Sequence, residues 1–282
     1  MKSKRRIFVI SFCLLLAAGA VAQRRFRDGG RYERAQTARD LVQHSAETPN
    51  WTNTSVFESD VFTFVRIRRE SAGYGGPWWT DAPDSDLNLS YRLQQMTALK
   101  VNPNGLFLRL TDRVLADYPF IYMVEPGSLY LNDDEVKALR EYLLNGGFLW
   151  LDDFWGEEEW ENMAYEMKRV FPNRQFVEVP ITNQLYRCVF DIPAKRQIPA
   201  VQIGTRSQYD PERRTWERSD AKQVHHRAIF DDKGRMMVFA THNTDNGDGW
   251  EWEGDNLYYF REFSEKTAYP LAVNVVFYVM TH

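Results

Sequence analysis

Cysteine is almost absent from this chain: its 282 residues carry two, Cys13 and Cys188. Cys13 falls in an N-terminal apolar run with the pattern of a cleaved leader, so the mature chain holds one thiol and no intrachain disulfide. Nothing near Cys188 in sequence supplies a base to make it a nucleophile, which leaves the role of a small buried hydrophobe. A positive excess is missing too: 35 Lys and Arg against 39 Asp and Glu give a net charge of -4. That balance excludes a nucleic-acid partner, which needs basic surface. Beyond the leader no apolar run reaches the roughly 20 residues of a membrane helix, Pro270 to Met280 coming nearest. The loop Gly73 to Asp81 lacks the lysine followed by serine or threonine of a phosphate-binding loop, and no internal repeat is apparent.

What is present begins with the leader. Met1 to Arg6 is basic, Ile7 to Ala18 is apolar and Gly19-Ala20-Val21-Ala22 ends on small residues, so residues 1–22 read as a signal peptide cut before Gln23. The protein is therefore expected to be exported, periplasmic or extracellular. Cys13 lacks the small preceding residue that a lipidation motif needs. Cleavage removes four positive charges and takes the mature chain to about -8. Residues 23–56 read as a polar, Arg-rich linker with one short helix around Glu33 to Val42, and 57–282 as one α/β domain.

Within that domain, Val61 to Ile67, Leu106 to Leu110, Phe120 to Val124, Phe148 to Leu151, Phe176 to Val179, Val201 to Gly204 and Met236 to Ala240 have strand character. Asp84-Ser85-Asp86 can cap a helix with Leu89, Leu93 and Met96 on one face. Asn132 and Glu135 form a capping box before the stripe Val136, Leu139, Leu143, Leu144, and Gly146 ends that helix in the left-handed region. Glu157 to Phe171 reads as a further helix, with three glutamates suited to its N-terminal dipole. Strand, helix, strand, helix implies a parallel sheet with right-handed crossovers. Arg206 to Arg227 reads as a charged surface insertion with His225 and His226 exposed, and Pro270 to Met280 as a buried helix, although its valines leave a strand open.

Two polar clusters follow strands. Asp152 and Asp153, with Trp155 two residues on, sit at a strand end, where open parallel sheets bind ligands. On an extended segment the two carboxylates point to opposite faces, one into the crevice and the other capping the helix at Glu157. His242, Asn243 and Asp245, with Asp248 beyond, form the second cluster, able to hold a divalent metal or to work as acid and base. The run from Asp245 to Gly249 lacks the spacing of a calcium loop and reads as a turn. Tyr74, Trp78, Trp79 and Asp81 lie in an aromatic loop that is either a ligand platform beside Trp155 or a folded-in lid. Nine tryptophans suit carbohydrate stacking, and equally an aromatic core.

With "LREYLLNGGFLWLDDFWG", "YPFIYMVEPG", "GGPWWTDAPDSDLNL" and "THNTDNGDGWEW" in hand, the chain resembles a bacterial domain-of-unknown-function family, DUF4159. Its members resemble the class I glutamine amidotransferase fold. The resemblance implies a flavodoxin-like three-layer sandwich with a mainly parallel sheet, and no established reaction or cofactor. Those enzymes hold a cysteine between glycines at the strand-to-helix turn; aligned on Gly156, that position here is Phe154. Their H-x-E motif resembles His242-Asn243-Thr244, with Asp245 one place late. Glutamine hydrolysis is therefore not expected. Two functions remain: a binding module at the cell envelope, taking an envelope protein or a small-molecule or carbohydrate ligand, or a hydrolase, metal-assisted or carbohydrate-directed, using Asp152 or Asp153 with His242 and Asp245.

Overall fold

Three strands made almost wholly of apolar residues, each buried along its length, form the centre of the molecule: β3 (Phe120–Val124), β4 (Phe148–Asp152) and β7 (Met236–His242). The computed structural model describes residues 30–45, 47–53, 61–69 and 77–282. It divides into two compact units, Met1–Gln36 and Thr37–His282. In the described part of the first, residues 30–32 form a helical turn. The expected signal peptide and Tyr74 lie outside the described residues. Among those described, no helix is long and apolar enough to cross a membrane.

The second unit holds a seven-stranded sheet in the order β2-β1-β3-β4-β7-β6-β5. The remaining strands are β1 (Val65–Arg68), β2 (Leu106–Arg109), β5 (Val177–Glu178) and β6 (His225–Phe230). β2, β1, β3, β4 and β7 run parallel, while β6 and β5 extend the sheet antiparallel beyond β7. Successive strand residues alternate between two cores. Phe120, Tyr122, Trp150 and Phe239 join one core with Trp250 and the C-terminal helix, whereas Ile121, Met123, Leu149 and Leu151 join another with Leu139, Met163 and Met167. Both faces of the parallel strands are therefore covered, which is why they read as continuous apolar runs.

The α-helices of six or more residues are α1 (Asp84–Met96), α2 (Asp133–Leu144), α3 (Gly156–Val170), α4 (Val201–Ser207), α5 (Asn246–Glu251) and α6 (Tyr269–Thr281), the last preceded by a π-helical stretch, Phe260–Ala268. The Asn132–Glu135 capping box forms with both bonds present, and Gly146 takes φ 110° after the helix. Val201–Gly204 is helix rather than strand. Its β-branched residues favour a strand, but Val201 N–H donates to Asp248 at 2.7 Å and Gly204 packs against Tyr259 too closely for a Cβ. The Asp245–Gly249 run is likewise the start of α5, because the Asp245 carboxylate accepts from Asp248 N–H at 2.7 Å. His225 and His226 belong to β6 rather than to an exposed insertion. His226 is 2% exposed and shares a hydrogen bond with the Tyr186 hydroxyl, because β6 pairs along β7 and alternate residues turn inward.

The second unit begins at Thr37. Arg39 donates to the Pro103 carbonyl, and Trp51 Nε1 to that of Val101 at 2.8 Å, so residues with no apolar periodicity are held by polar anchors. Asp84 and Asp86 do not cap α1. Asp84 accepts from the backbone N–H groups of His44 and Ser45, and Asp86 pairs with Arg66.

Arg66 and Asp86 are both fully buried. The Arg66 Nε lies 3.0 Å from each Asp86 oxygen, and its terminal nitrogens reach Ser85 Oγ at 2.8 Å and the Thr80 carbonyl at 2.8 Å. One side chain of β1 thus ties α1 to the loop before it. Arg66→Met leaves Asp86 buried without its counter-charge, and a loss of about 3–5 kcal/mol is expected in urea unfolding. A variant that unfolds at the wild-type midpoint would show the pair to be dispensable.

Candidate functional site

The adjacent aspartates at the end of β4 part completely. Asp152 is fully buried and accepts from the Tyr122 hydroxyl at 2.9 Å, Thr241 Oγ1 at 2.5 Å, Asn246 N–H at 2.9 Å, Asn246 Nδ2 at 2.8 Å and Gly247 N–H at 3.2 Å. Those donors come from β3, β7 and the first turn of α5. Burial raises its pKa, and the bonds counter that rise. Asp153 turns the other way, at φ 58°, into a crevice. It does not cap α3: its Oδ1 accepts from Trp155 Nε1 at 3.0 Å, while Glu157 N–H is met by Asp220 at 3.1 Å.

The crevice has a volume of about 290 Å³ and lies at the carboxyl ends of the parallel strands. Asp81 reaches it from the loop after β1, Glu125 from the residue after β3, Asp153 from the residue after β4, and Asp245 and Asp248 from the segment after β7. Glu159 of α3 and Glu217 complete seven carboxylates, with no lysine, arginine or histidine among the described lining residues. Three of the seven, Asp81, Glu125 and Asp153, have left-handed backbones with φ of 63°, 48° and 58°. Non-glycine residues rarely adopt that region, and such strain gathers at sites that must aim a side chain.

Charge is crowded here. Burial pushes the Asp153 carboxyl well above the usual range, and Glu125, Asp81, Glu217 and Asp152 push it further. Asp81 and Asp245 are raised by burial and then by their acidic neighbours, and Glu251, behind the crevice, is pushed up to about 9 by burial and Asp248. The nearby arginines are engaged elsewhere. Arg66 serves Asp86, and Arg69 donates to the Val124 and Glu125 carbonyls. Arg218 pairs with Glu159 alone among the lining carboxylates.

Two oxygen triads have metal-binding dimensions. One oxygen each from Asp81, Asp153 and Asp245 lie within 4.8 Å of one another, as do oxygens of Asp81, Asp248 and Glu251. Oxygens around a calcium ion at about 2.4 Å are at most about 4.8 Å apart, so both triads fit a hard cation. Asp81 Oδ2 is buried and has no hydrogen-bond partner.

The other expected residues have different places. His242 is fully buried; its Nε2 bonds the Gly156 carbonyl at 2.9 Å, and its Nδ1 lies 3.2 Å from an Arg227 nitrogen. Burial lowers its pKa to about 4, so it is a neutral packing residue stacked on Phe154 at 4.9 Å. Asn243 clamps the start of α3, accepting from Gly156 N–H at 2.8 Å and donating to the Gln223 carbonyl. Trp155 lines the crevice but is 4% exposed, a wall rather than a stacking face. Trp78 is buried against Phe107, Trp79 stands edge-on to it at 5.6 Å, and neither lines the crevice, whereas Asp81 of the same loop does. Glu125, Glu217, Glu251 and Trp252 are additional acidic or lining residues. Only Glu125 carried a local signal, at the abrupt strand end before Pro126-Gly127.

A parallel α/β sheet with an acidic crevice at its carboxyl edge therefore defines the class of domain. The model of the family described as "Domain of unknown function (DUF4159)" matches residues 63–280, so the chain belongs to that family. No match was found among curated proteins.

The two aspartates should respond to substitution with opposite signs. At pH 8 in chelator, Asp152→Asn places an amide donor among donors and is expected to lose about 2–3 kcal/mol. Asp153→Asn keeps the Trp155 bond, removes like-charge repulsion and should stabilise the protein. Equal losses in the two variants, measured by urea unfolding, would contradict these roles.

Proposed function

We propose that this domain is a divalent-cation-binding module of an exported, envelope-associated protein, on a fold related to the class I glutamine amidotransferases but without their chemistry. The observation that carries the reading is the crevice: seven carboxylates face about 290 Å³ with no basic side chain among the described lining residues. So many carboxylates cannot all ionise at close range unless a cation joins them. The fold relationship draws support from the parallel strand order β2-β1-β3-β4-β7, which matches flavodoxin-like winding with its switch point between β1 and β3. The buried Phe154 at the aligned nucleophile position supports the loss of amidotransferase chemistry. Export rests on the leader pattern of residues 1–22.

The hydrolase reading has less support. His242 spends its ring nitrogens on Gly156 and Arg227, and Asp152 spends its oxygens on five donors, which leaves Asp153 and Asp245 facing the crevice.

Cation binding should be visible as pH-dependent stability. A carboxyl with a raised folded-state pKa contributes stability below its ordinary value of 4.5 that is lost as pH rises towards about 9, the case of Glu251. In chelator, this cluster should therefore favour the folded state more at pH 5 than at pH 8. Added Ca²⁺, Mg²⁺ or Mn²⁺ should raise the melting temperature more at pH 8 than at pH 5. The gain should be reduced in Asp153→Asn and Asp245→Asn. No shift with any of the three ions at pH 8 would end the proposal.

A further inference from the structure

Resting on the cation-binding reading, we infer that the crevice holds two divalent cations side by side, with Asp81 as the carboxylate they share. Asp81 is the common member of both triads, Asp81–Asp153–Asp245 and Asp81–Asp248–Glu251. No other residue belongs to both. A carboxylate has two oxygens with about four lone-pair directions, so it can bridge two cations while the others each serve one. Sites of this type hold their ions about 3.5–4 Å apart.

A second observation points to a ligand. Four acidic oxygens of the triads already have protein donors: Asp153 Oδ1 takes Trp155 Nε1, Asp245 Oδ1 takes Asp248 N–H, and Asp248 takes Val201 N–H and Trp252 Nε1. Asp81 Oδ2 is buried with none. A buried anionic oxygen without a partner is costly, and the carboxylates of Asp248, Glu251 and Glu125 act on Asp81 against the opposing charge of Arg66. The glycine at position 247 makes room for it, because a Cβ there would come within 2.1 Å of it. Arg66 holds the Thr80 carbonyl, the residue before Asp81, at 2.8 Å. The loop that carries the shared carboxylate is thus held by Arg66 of β1, and α5 leaves the space it occupies.

The test uses Mn²⁺ with the metal-stripped full domain. Equilibrium dialysis should give two bound equivalents in the wild type, and electron paramagnetic resonance should show an exchange-coupled Mn²⁺ pair, as a bridging carboxylate requires. Asp153→Asn and Glu251→Gln should each retain one equivalent and lose the coupled signal. Asp81→Asn should lose both tight equivalents, and melting curves in chelator show whether each variant is folded. If Asp81→Asn does not fold, the two single-triad variants still decide. One uncoupled equivalent in the wild type, lost in Asp153→Asn and unaffected by Glu251→Gln, would overturn the paired arrangement while leaving the cation-binding module intact. No bound Mn²⁺ in the folded wild type would overturn both.

Discussion

The buried carboxylate of Asp152 is the interaction on which the site depends. Its five donors come from β3, β7 and the start of α5, so one anion fixes the carboxyl ends of three central strands and a helix. Because it binds the amides of Asn246 and Gly247, it also sets the positions of Asp245 and Asp248 on either side. Because it anchors the end of β4, it leaves Asp153 to turn outward through a left-handed residue. A satisfied buried charge of this kind rigidifies what surrounds it. Here it holds a row of further charges in place.

Those further charges run against folding. Burial and mutual repulsion raise the pKa values of Asp81, Asp153, Asp245 and Glu251. The surrounding architecture is what keeps them close. Arg66 secures the Asp81 loop through the Thr80 carbonyl, and Asn243 clamps the start of α3 through Gly156. Three of the acidic residues occupy backbone conformations that a free chain would avoid. This concentration of negative charge, held together at a cost to stability, is the basis of the proposed cation reading.

The elements that could be read from sequence were those whose signals are local. The capping box of Asn132 and Glu135, the stop at Gly146, and the apolar strands β3, β4 and β7 all depend on neighbours in the chain. Val201–Ser207 misled because its β-branched residues suggest a strand, whereas the bond to Asp248 and the packing of Gly204 on Tyr259 make it a helix. Residues 37–53 carry no apolar period, yet polar contacts such as Trp51 with Val101 hold part of them to the domain. His242 shared a motif with Asp245 and parted from it in space, because a strand end and the loop beyond it face different surroundings.

Sequence alone determined that this is an α/β protein with acidic residues after its strands, since apolar periodicity and helix caps act over a few residues. It also placed Asp152 and Asp153 at a strand end. Which of the two would be a buried anchor and which would face the crevice was decided by tertiary structure, through donors more than 80 residues away at Thr241 and Asn246. Likewise only the fold could bring Asp81, Glu125, Asp153, Asp245 and Asp248 into one crevice. They lie on four separate strand-end segments, and chain order carries no record of which ends a parallel sheet will align.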